Sequence, residues 1–236
     1  MSKIVTIGGG EFTRREIGRI DKYALDLTGK YDPRVLYIPT ASNDEERDLM
    51  TDYFKGFGIS KYEILCLISE NPSDDEIQQK IFSADYIFAG GGDALLLMDV
   101  WKKYNVDHYM RQAYYKDIVL SGISAGSICW FEIGHTDSLS YHEENWDYCR
   151  MHGTGIIPAI HSPHFNPHRD ASLNRWMQTE ALPGIGLEDC CALVGIDGKF
   201  SVLTSNEKAQ AHIFRNENGK VTKEYLCDGE NVIIHN

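Results

Sequence analysis

Read for hydropathy alone, the first half of the chain alternates. Short apolar runs, each closing on small or turn-forming residues, stand at 3–9 (KIVTIGG), 34–40 (RVLYIPT), 62–68 (YEILCLI), 84–91 (ADYIFAGG) and 117–123 (DIVLSGI). Runs this short and this uniformly apolar predict strands buried on both faces. Between them lie helix-like stretches at about 11–28, 43–57, 74–82, 93–105 and 107–115. Strand and helix in this alternation predict an α/β fold: a mostly parallel sheet with helices on both faces. Beyond residue 124 the pattern changes. Residues 135–170 are rich in His, Asn, Pro and aromatic residues, and a regular helix resumes only near 169–180. From CALVGIDGKFSVLTS to EYLCDGENVIIHN, apolar and polar positions alternate around glycine turns, which predicts antiparallel strands near the C-terminus. With no internal repeat, low-complexity tract or linker, residues 1–236 are expected to form one domain.

Composition matters mainly for what it excludes. Hydrophobic residues make up 42% of the 236, enough for a sizeable core. The net charge of -12 disfavours phosphate backbones, so nucleic acid is not an expected partner. No run reaches the roughly 18 apolar residues of a membrane span. The opening MSKIVTIGGG is too short an apolar run for a signal peptide, so a cytoplasmic protein without a membrane partner is expected. Six cysteines (Cys66, Cys129, Cys149, Cys190, Cys191 and Cys227) show no CxxC pairing, and several lie inside apolar runs, as buried free thiols do. A homodimer is left open.

The chemistry concentrates where strands end. In DIVLSGISAGSICW an apolar run meets Gly122, Ser124, Ala125 and Gly126 and then a second apolar run. Ligands of a parallel sheet bind at the carboxyl ends of its strands. A serine in a tight strand-to-helix bend there, flanked by Gly at the Gly-x-Ser-x-Gly spacing, is a nucleophile elbow. The helix behind it offers free N–H groups to a developing oxyanion. A second junction, FAGGGDALLL, exposes the backbone of Gly90, Gly91 and Gly92 and can supply the other half of an oxyanion hole beside Ala125.

A nucleophilic serine needs a base and a group to orient that base. Among nine histidines, His108 falls on a predicted helix and His212 and His235 in late strands, where structural roles are expected. IHSPHFNPH places His161, His164 and His168 around two prolines. Pro163 and Pro167 remove a helical i, i+4 ligand pair, and no carboxylate stands at matching spacing, so no metal is predicted. Asp137 lies between Ser124 and these histidines, and Glu188 follows an apolar strand; either is a candidate for the third member. Gly8–Gly10 does not make a dinucleotide loop, because G-x-G-x-x-G needs Gly where Thr13 stands. No cofactor is expected.

AGGGDALLL, GISAGSICW, HTDSL and SPHF, in this order and at these distances, resemble the peptidase E (aspartyl dipeptidase) and cyanophycinase family of serine peptidases. The resemblance covers nearly the whole chain. It implies a three-layer fold similar to class I glutamine amidotransferases, flavodoxin-like, with Ser in place of Cys at the elbow. It places the nucleophile on Ser124 and the base on His164. The acid falls on Asp137, with Glu188 as the other acidic position, and the oxyanion donors are the N–H groups of Gly91 and Ala125. Such a peptidase hydrolyses small peptides through an acyl-enzyme. For dipeptides with N-terminal Asp it needs a cation, which the resemblance assigns to Arg169; Ser172 stands where a second Arg is expected, and Arg175 comes one turn later. The segment YHEENWDYCRMHG (141–153) is expected to shape the pocket. Two other readings remain: an α/β-hydrolase esterase, which uses the same elbow with a later acid and His, and a non-catalytic binding protein on the same fold.

Overall fold

The computed structural model describes residues 1–234, so His235 lies outside the described residues. The first half follows the predicted alternation: β1 (Lys3–Ile7), α1 (Gly18–Asp26), β2 (Val35–Ile38), α2 (Arg47–Lys55), β3 (Tyr62–Ile64), α3 (Asp74–Ser83), β4 (Tyr86–Ala89), α4 (Ala94–Lys103), α5 (Val106–Tyr114) and β5 (Val119–Ile123). The helix starts have local causes. Ser73 Oγ accepts the Glu76 N–H while the Glu76 carboxylate accepts the Ser73 N–H, a closed capping box for α3. Asp93 caps α4 by accepting the N–H groups of Leu95 and Leu96.

These strands enter an eight-stranded sheet in which β1, β5, β4, β2 and β3 run parallel. Successive strand residues point to opposite faces. Val5, Val35, Tyr86 and Val119 pack with Ile20, Ala24, Met50 and Phe54 of α1 and α2. Ile4, Leu36, Ile87 and Leu120 pack with Ile77, Leu97, Trp101 and Met110 of α3, α4 and α5. The chain then continues through α6 (Ala125–Ile128), β6 (Phe131–Thr136), β7 (Cys149–His152), β8 (Ile157–Ser162), α7 (Pro167–Trp176), β9 (Gly184–Leu187), β10 (Cys191–Ile196), β11 (Lys199–Thr204), β12 (Ala211–Glu217), β13 (Lys220–Leu226) and β14 (Asn231–Val232). Strands β10, β11 and β14 extend the first sheet in antiparallel fashion, with β10 against the free edge of β1.

A second sheet, ordered β13-β12-β9-β8-β6-β7, is an addition to the expected architecture. Its strands β6 and β8 lack a clean apolar pattern because each carries buried polar side chains. His135, His161 and Ser162 are all fully buried. They satisfy one another and their neighbours: His135 Nδ1 lies 3.0 Å from Ser162 Oγ and its Nε2 3.0 Å from Ser172 Oγ. A buried polar group is tolerated when it is paired in this way. Burial pushes the imidazoles of His135 and His161 down to about 3, so both are neutral. Among the described residues no helix is long and apolar enough to cross a membrane.

One buried charge is not compensated. Asp21 on α1 is fully buried, and only one of its oxygens is bonded, by the Tyr53 hydroxyl at 2.5 Å. Burial pushes its carboxyl up to about 7. A folded-state value above the unfolded one means that its contribution is full below about pH 4 and fades as the pH rises through 7. Asp21→Asn is therefore expected to stabilise the protein by roughly 2–4 kcal/mol at pH 8, with little gain at pH 4. Urea unfolding at the two pH values checks this, and an equal gain at both would remove the carboxylate as the cause.

Candidate active site

The turn after β5 puts Ser124 at φ 54 and ψ -118, a conformation that a non-glycine residue adopts only when its surroundings enforce it. Its N–H donates to the Ile7 carbonyl at 3.1 Å, and its carbonyl accepts the N–H groups of Ser127 and Ile128. The flanking glycines are steric requirements. A Cβ on Gly122 would lie 2.2 Å from the Gly126 carbonyl oxygen, and one on Gly126 would lie 2.1 Å from that of Ala89. Behind the turn, Ser127 Oγ lies 2.8 Å from the Ser124 carbonyl oxygen and 2.8 Å from His161 Nε2. His161 thus faces inward and braces the elbow.

The Gly90–Gly92 loop runs beside the serine: a Cβ on Gly91 would come within 3.4 Å of Ser124 Cβ. Gly90 donates its N–H to Ile38, whereas among the described residues the N–H groups of Gly91 and Ala125 meet no acceptor. Ser124, Gly91, Gly92 and His164 line one open cleft of about 690 Å³. Tyr141 and His142, from the segment expected to shape the pocket, form part of its wall.

His164 sits at φ 45 in the loop between β8 and α7. Asn166 fixes that loop by accepting the N–H groups of His168 and Arg169 and by donating its amide to the His164 carbonyl. His168 is exposed on α7. The ring of His164 meets a carboxylate: Nδ1 lies 2.7 Å from Oδ1 of Asp189. The hydrogen bond to His164 holds the Asp189 carboxyl below its ordinary value, against the opposing effect of burial.

Neither acid expected from the sequence occupies this place. Asp137 accepts from Arg169 Nη2 at 2.6 Å, and Arg169 Nη1 also donates to the His135 carbonyl. That guanidinium is buried, 4.9 Å over the Tyr148 ring, and must hold a counter-charge; the end of β6 supplies it. Glu188 accepts from the Gln210 N–H and lies 2.7 Å from His212 Nε2, tying β9 to β12. Adjacent residues of extended chain point to opposite sides. Glu188 therefore faces β12, and its neighbour Asp189 faces His164.

The expected substrate cations are corrected in the same way. Arg169 is committed to Asp137, Arg175 is exposed with its nearest acid, Asp147, 3.9 Å away, and neither lines the cleft. Gly8–Gly10, which had no function in the sequence, supports the His–Asp pair. A Cβ on Gly9 would lie 2.0 Å from Asp189 Oδ1 and 2.3 Å from His164 Nδ1. The Gly8 carbonyl accepts the His164 N–H, and that of Gly9 accepts the Cys190 N–H. Among the described residues no cluster of three or more His, Cys, Asp or Glu could hold a metal ion, and the six cysteines are free.

A strained serine at the carboxyl edge of a parallel sheet, sharing one cleft with a histidine that a carboxylate holds, is an arrangement that serine hydrolases use. Comparison with known proteins narrows that class. The family model of peptidase family S51 matches residues 4–203, and the chain belongs to this family, that of peptidase E. It is a serine-type peptidase. The chain is 28% identical over 221 residues to the Uncharacterized peptidase YgaJ of Bacillus subtilis (strain 168), covering 90% of this chain and 91% of that protein. The fold matches the crystal structure of a peptidase from an acI-B1 Actinobacterium at TM-score 0.72 and 22% identity, over 98% of this chain and 96% of that one. It matches a candidate Peptidase E protein from Listeria monocytogenes EGD-e at TM-score 0.65 and 16% identity, over 86% of this chain and 98% of that one.

Proposed function

We propose that this peptidase cleaves short peptides by acyl transfer through Ser124, with His164 as the base and Asp189 as the group that orients it. The observation that carries the reading is the placement of Ser124 and His164 in one cleft, with Asp189 2.7 Å from the imidazole nitrogen Nδ1. With Nδ1–H donated to Asp189, the basic lone pair of the neutral ring is on Nε2. Nε2 removes the Ser124 proton as Oγ bonds to the peptide carbonyl carbon. The oxyanion is met by the N–H groups of Gly91 and Ala125. The C–N bond then breaks, and the proton on Nε2 passes to the leaving amine. Water, deprotonated by the same nitrogen, attacks the acyl-enzyme, and the carboxylic acid departs with Ser124 regenerated.

An open cleft of about 690 Å³ is on the scale of small-molecule sites and suits a short peptide rather than a folded protein. A fluorophosphonate probe tests the reading. It is expected to add one equivalent, located on Ser124 by peptide mass spectrometry, and to stop the cleavage of a dipeptide and tripeptide panel. An unlabelled Ser124 in protein that still turns over peptides would overturn it.

A further inference from the structure

The residue that follows Gly90–Gly92 is Asp93, which is buried and has a partner for each of its polar atoms. Its N–H donates to the Ala41 carbonyl at 2.9 Å, and its carbonyl accepts the Leu97 N–H. Oδ1 accepts the N–H groups of Leu95 and Leu96 at the start of α4. Oδ2 lies 2.8 Å from Nε2 of His142, which comes 49 positions later in the chain. Facing a carboxylate, that nitrogen carries the proton and donates it. Among the described residues no lysine or arginine pairs with Asp93, so His142 is the charge-capable donor on which the buried carboxylate relies.

A second contact joins the same two segments. Ser138 Oγ accepts the N–H groups of Ala94 at 3.0 Å and Leu95 at 3.3 Å, and it lies 2.8 Å from Thr136 Oγ1. The turn Ser138–Tyr141 is thus docked on the first turn of α4, with His142 at its end. Asp93 and Ser138 together satisfy the N–H groups of Ala94, Leu95 and Leu96, which have no acceptor inside the helix. None of those bonds passes through His142, so the start of α4 survives without it. What His142 fixes is the second carboxylate oxygen, and with it the end of the glycine loop.

Position matters most in that loop. Gly90 is tied to the Ile38 carbonyl, and Gly92, at φ 131, sits where a Cβ would lie 2.2 Å from the Ala41 carbonyl oxygen. Between them Gly91 presents its N–H beside Ser124. A donor to a developing oxyanion is effective only when it is already in place, and a small displacement forfeits much of its effect. Building on the assignment of Ser124 as nucleophile and of the Gly91 N–H as oxyanion donor, we propose that His142 is a positioning residue for the reaction. Its hydrogen bond to Asp93 clamps the end of the Gly90–Gly92 loop and keeps the Gly91 N–H aimed at the tetrahedral intermediate. Its own side chain lines the cleft and is 59% exposed, so its removal opens no cavity in the core.

His142→Ala is expected to lower kcat for a cleaved dipeptide about tenfold while KM stays within about twofold. His142→Gln keeps an N–H donor at a similar reach and should return kcat to within about threefold of the wild type. A peptide aldehyde provides the second readout. Ser124 Oγ adds to its carbonyl carbon, the serine proton passes to His164, and the carbonyl oxygen becomes the oxyanion. Its affinity should fall by about the same tenfold in His142→Ala, whereas calorimetric binding of an intact dipeptide to Ser124→Ala should be matched within about twofold by Ser124→Ala/His142→Ala. In protein labelled at the glycine nitrogens, the Gly91 amide resonance should move in His142→Ala and return in His142→Gln, and the thermal melts of the three proteins should coincide. A loss confined to KM, an equal loss in the Gln and Ala variants, or an unchanged aldehyde affinity would overturn the proposal. If the aldehyde does not add to Ser124 in the wild type, the assignment of the nucleophile fails instead. The Gly91 resonance then decides the clamp by itself: movement restored by Gln supports it, and an unmoved resonance overturns it.

Discussion

Ser124→Ala is expected to lower kcat/KM for every cleaved peptide by about 10⁴-fold or more, because the other serine of the cleft, Ser42, sits outside the elbow with its hydroxyl donating to the Pro39 carbonyl. The fold should be unaffected. Alanine tolerates φ 54 no worse than serine does, and the backbone bonds of the elbow come from the N–H and carbonyl of residue 124, which the substitution keeps. Peptide hydrolysis followed by amine release, alongside a thermal melt by circular dichroism, checks both halves. Activity above about one per cent of wild type with an unchanged melt would remove Ser124 as the nucleophile.

The second large effect separates the two aspartates. Asp189→Asn should lower kcat by about 10³-fold with little change in KM, since an amide cannot hold the imidazole in the productive tautomer or balance the imidazolium. The expected loss is kept below that of a fully buried acid because the Asp189 side chain is 61% exposed, which lets water replace part of its effect. Asp137→Asn should do the opposite. It should change kcat less than about threefold and cost roughly 1–3 kcal/mol of stability, by weakening the counter-charge of the buried Arg169 guanidinium. Steady-state kinetics and urea unfolding of the two variants form the comparison. A large kcat loss in Asp137→Asn with Asp189→Asn near normal would reverse the roles.

The features legible in the sequence were those that local physics controls. Short apolar runs marked the parallel strands, and the helix-like stretches between them fall on α1 to α5. The elbow was legible because the steric demands of Gly122 and Gly126 are written as glycines. Where a side chain is claimed by a distant partner, reading along the chain failed. Asp137 looked available, but Arg169, thirty-two residues later, takes it. Glu188 is one residue away from the carboxylate that meets His164, and the parity of an extended segment can be assigned only once its register is known. The signal that could have pointed to Asp189 was the alternation in GIGLED itself: Leu187 is buried in the core, so Glu188 and Asp189 had to diverge. The second sheet was obscured by buried histidines and serines that pair with each other, which removes the apolar mark of a buried strand.

The position of β1 bears on how the enzyme comes into being. It precedes every other strand of the fold along the chain, yet it lies inside the sheet, between β5 and β10. One neighbour is complete at residue 123, but the other begins only at Cys191 of 236 residues. Asp189 arrives in that same late stretch, and Gly9, at the end of β1, is the surface against which it and His164 close. A nascent chain that has already made Ser124 and His164 therefore has neither the carboxylate nor the completed edge that fixes it. A chain truncated before residue 189 lacks both the carboxylate that meets His164 and the strand that closes the edge of β1.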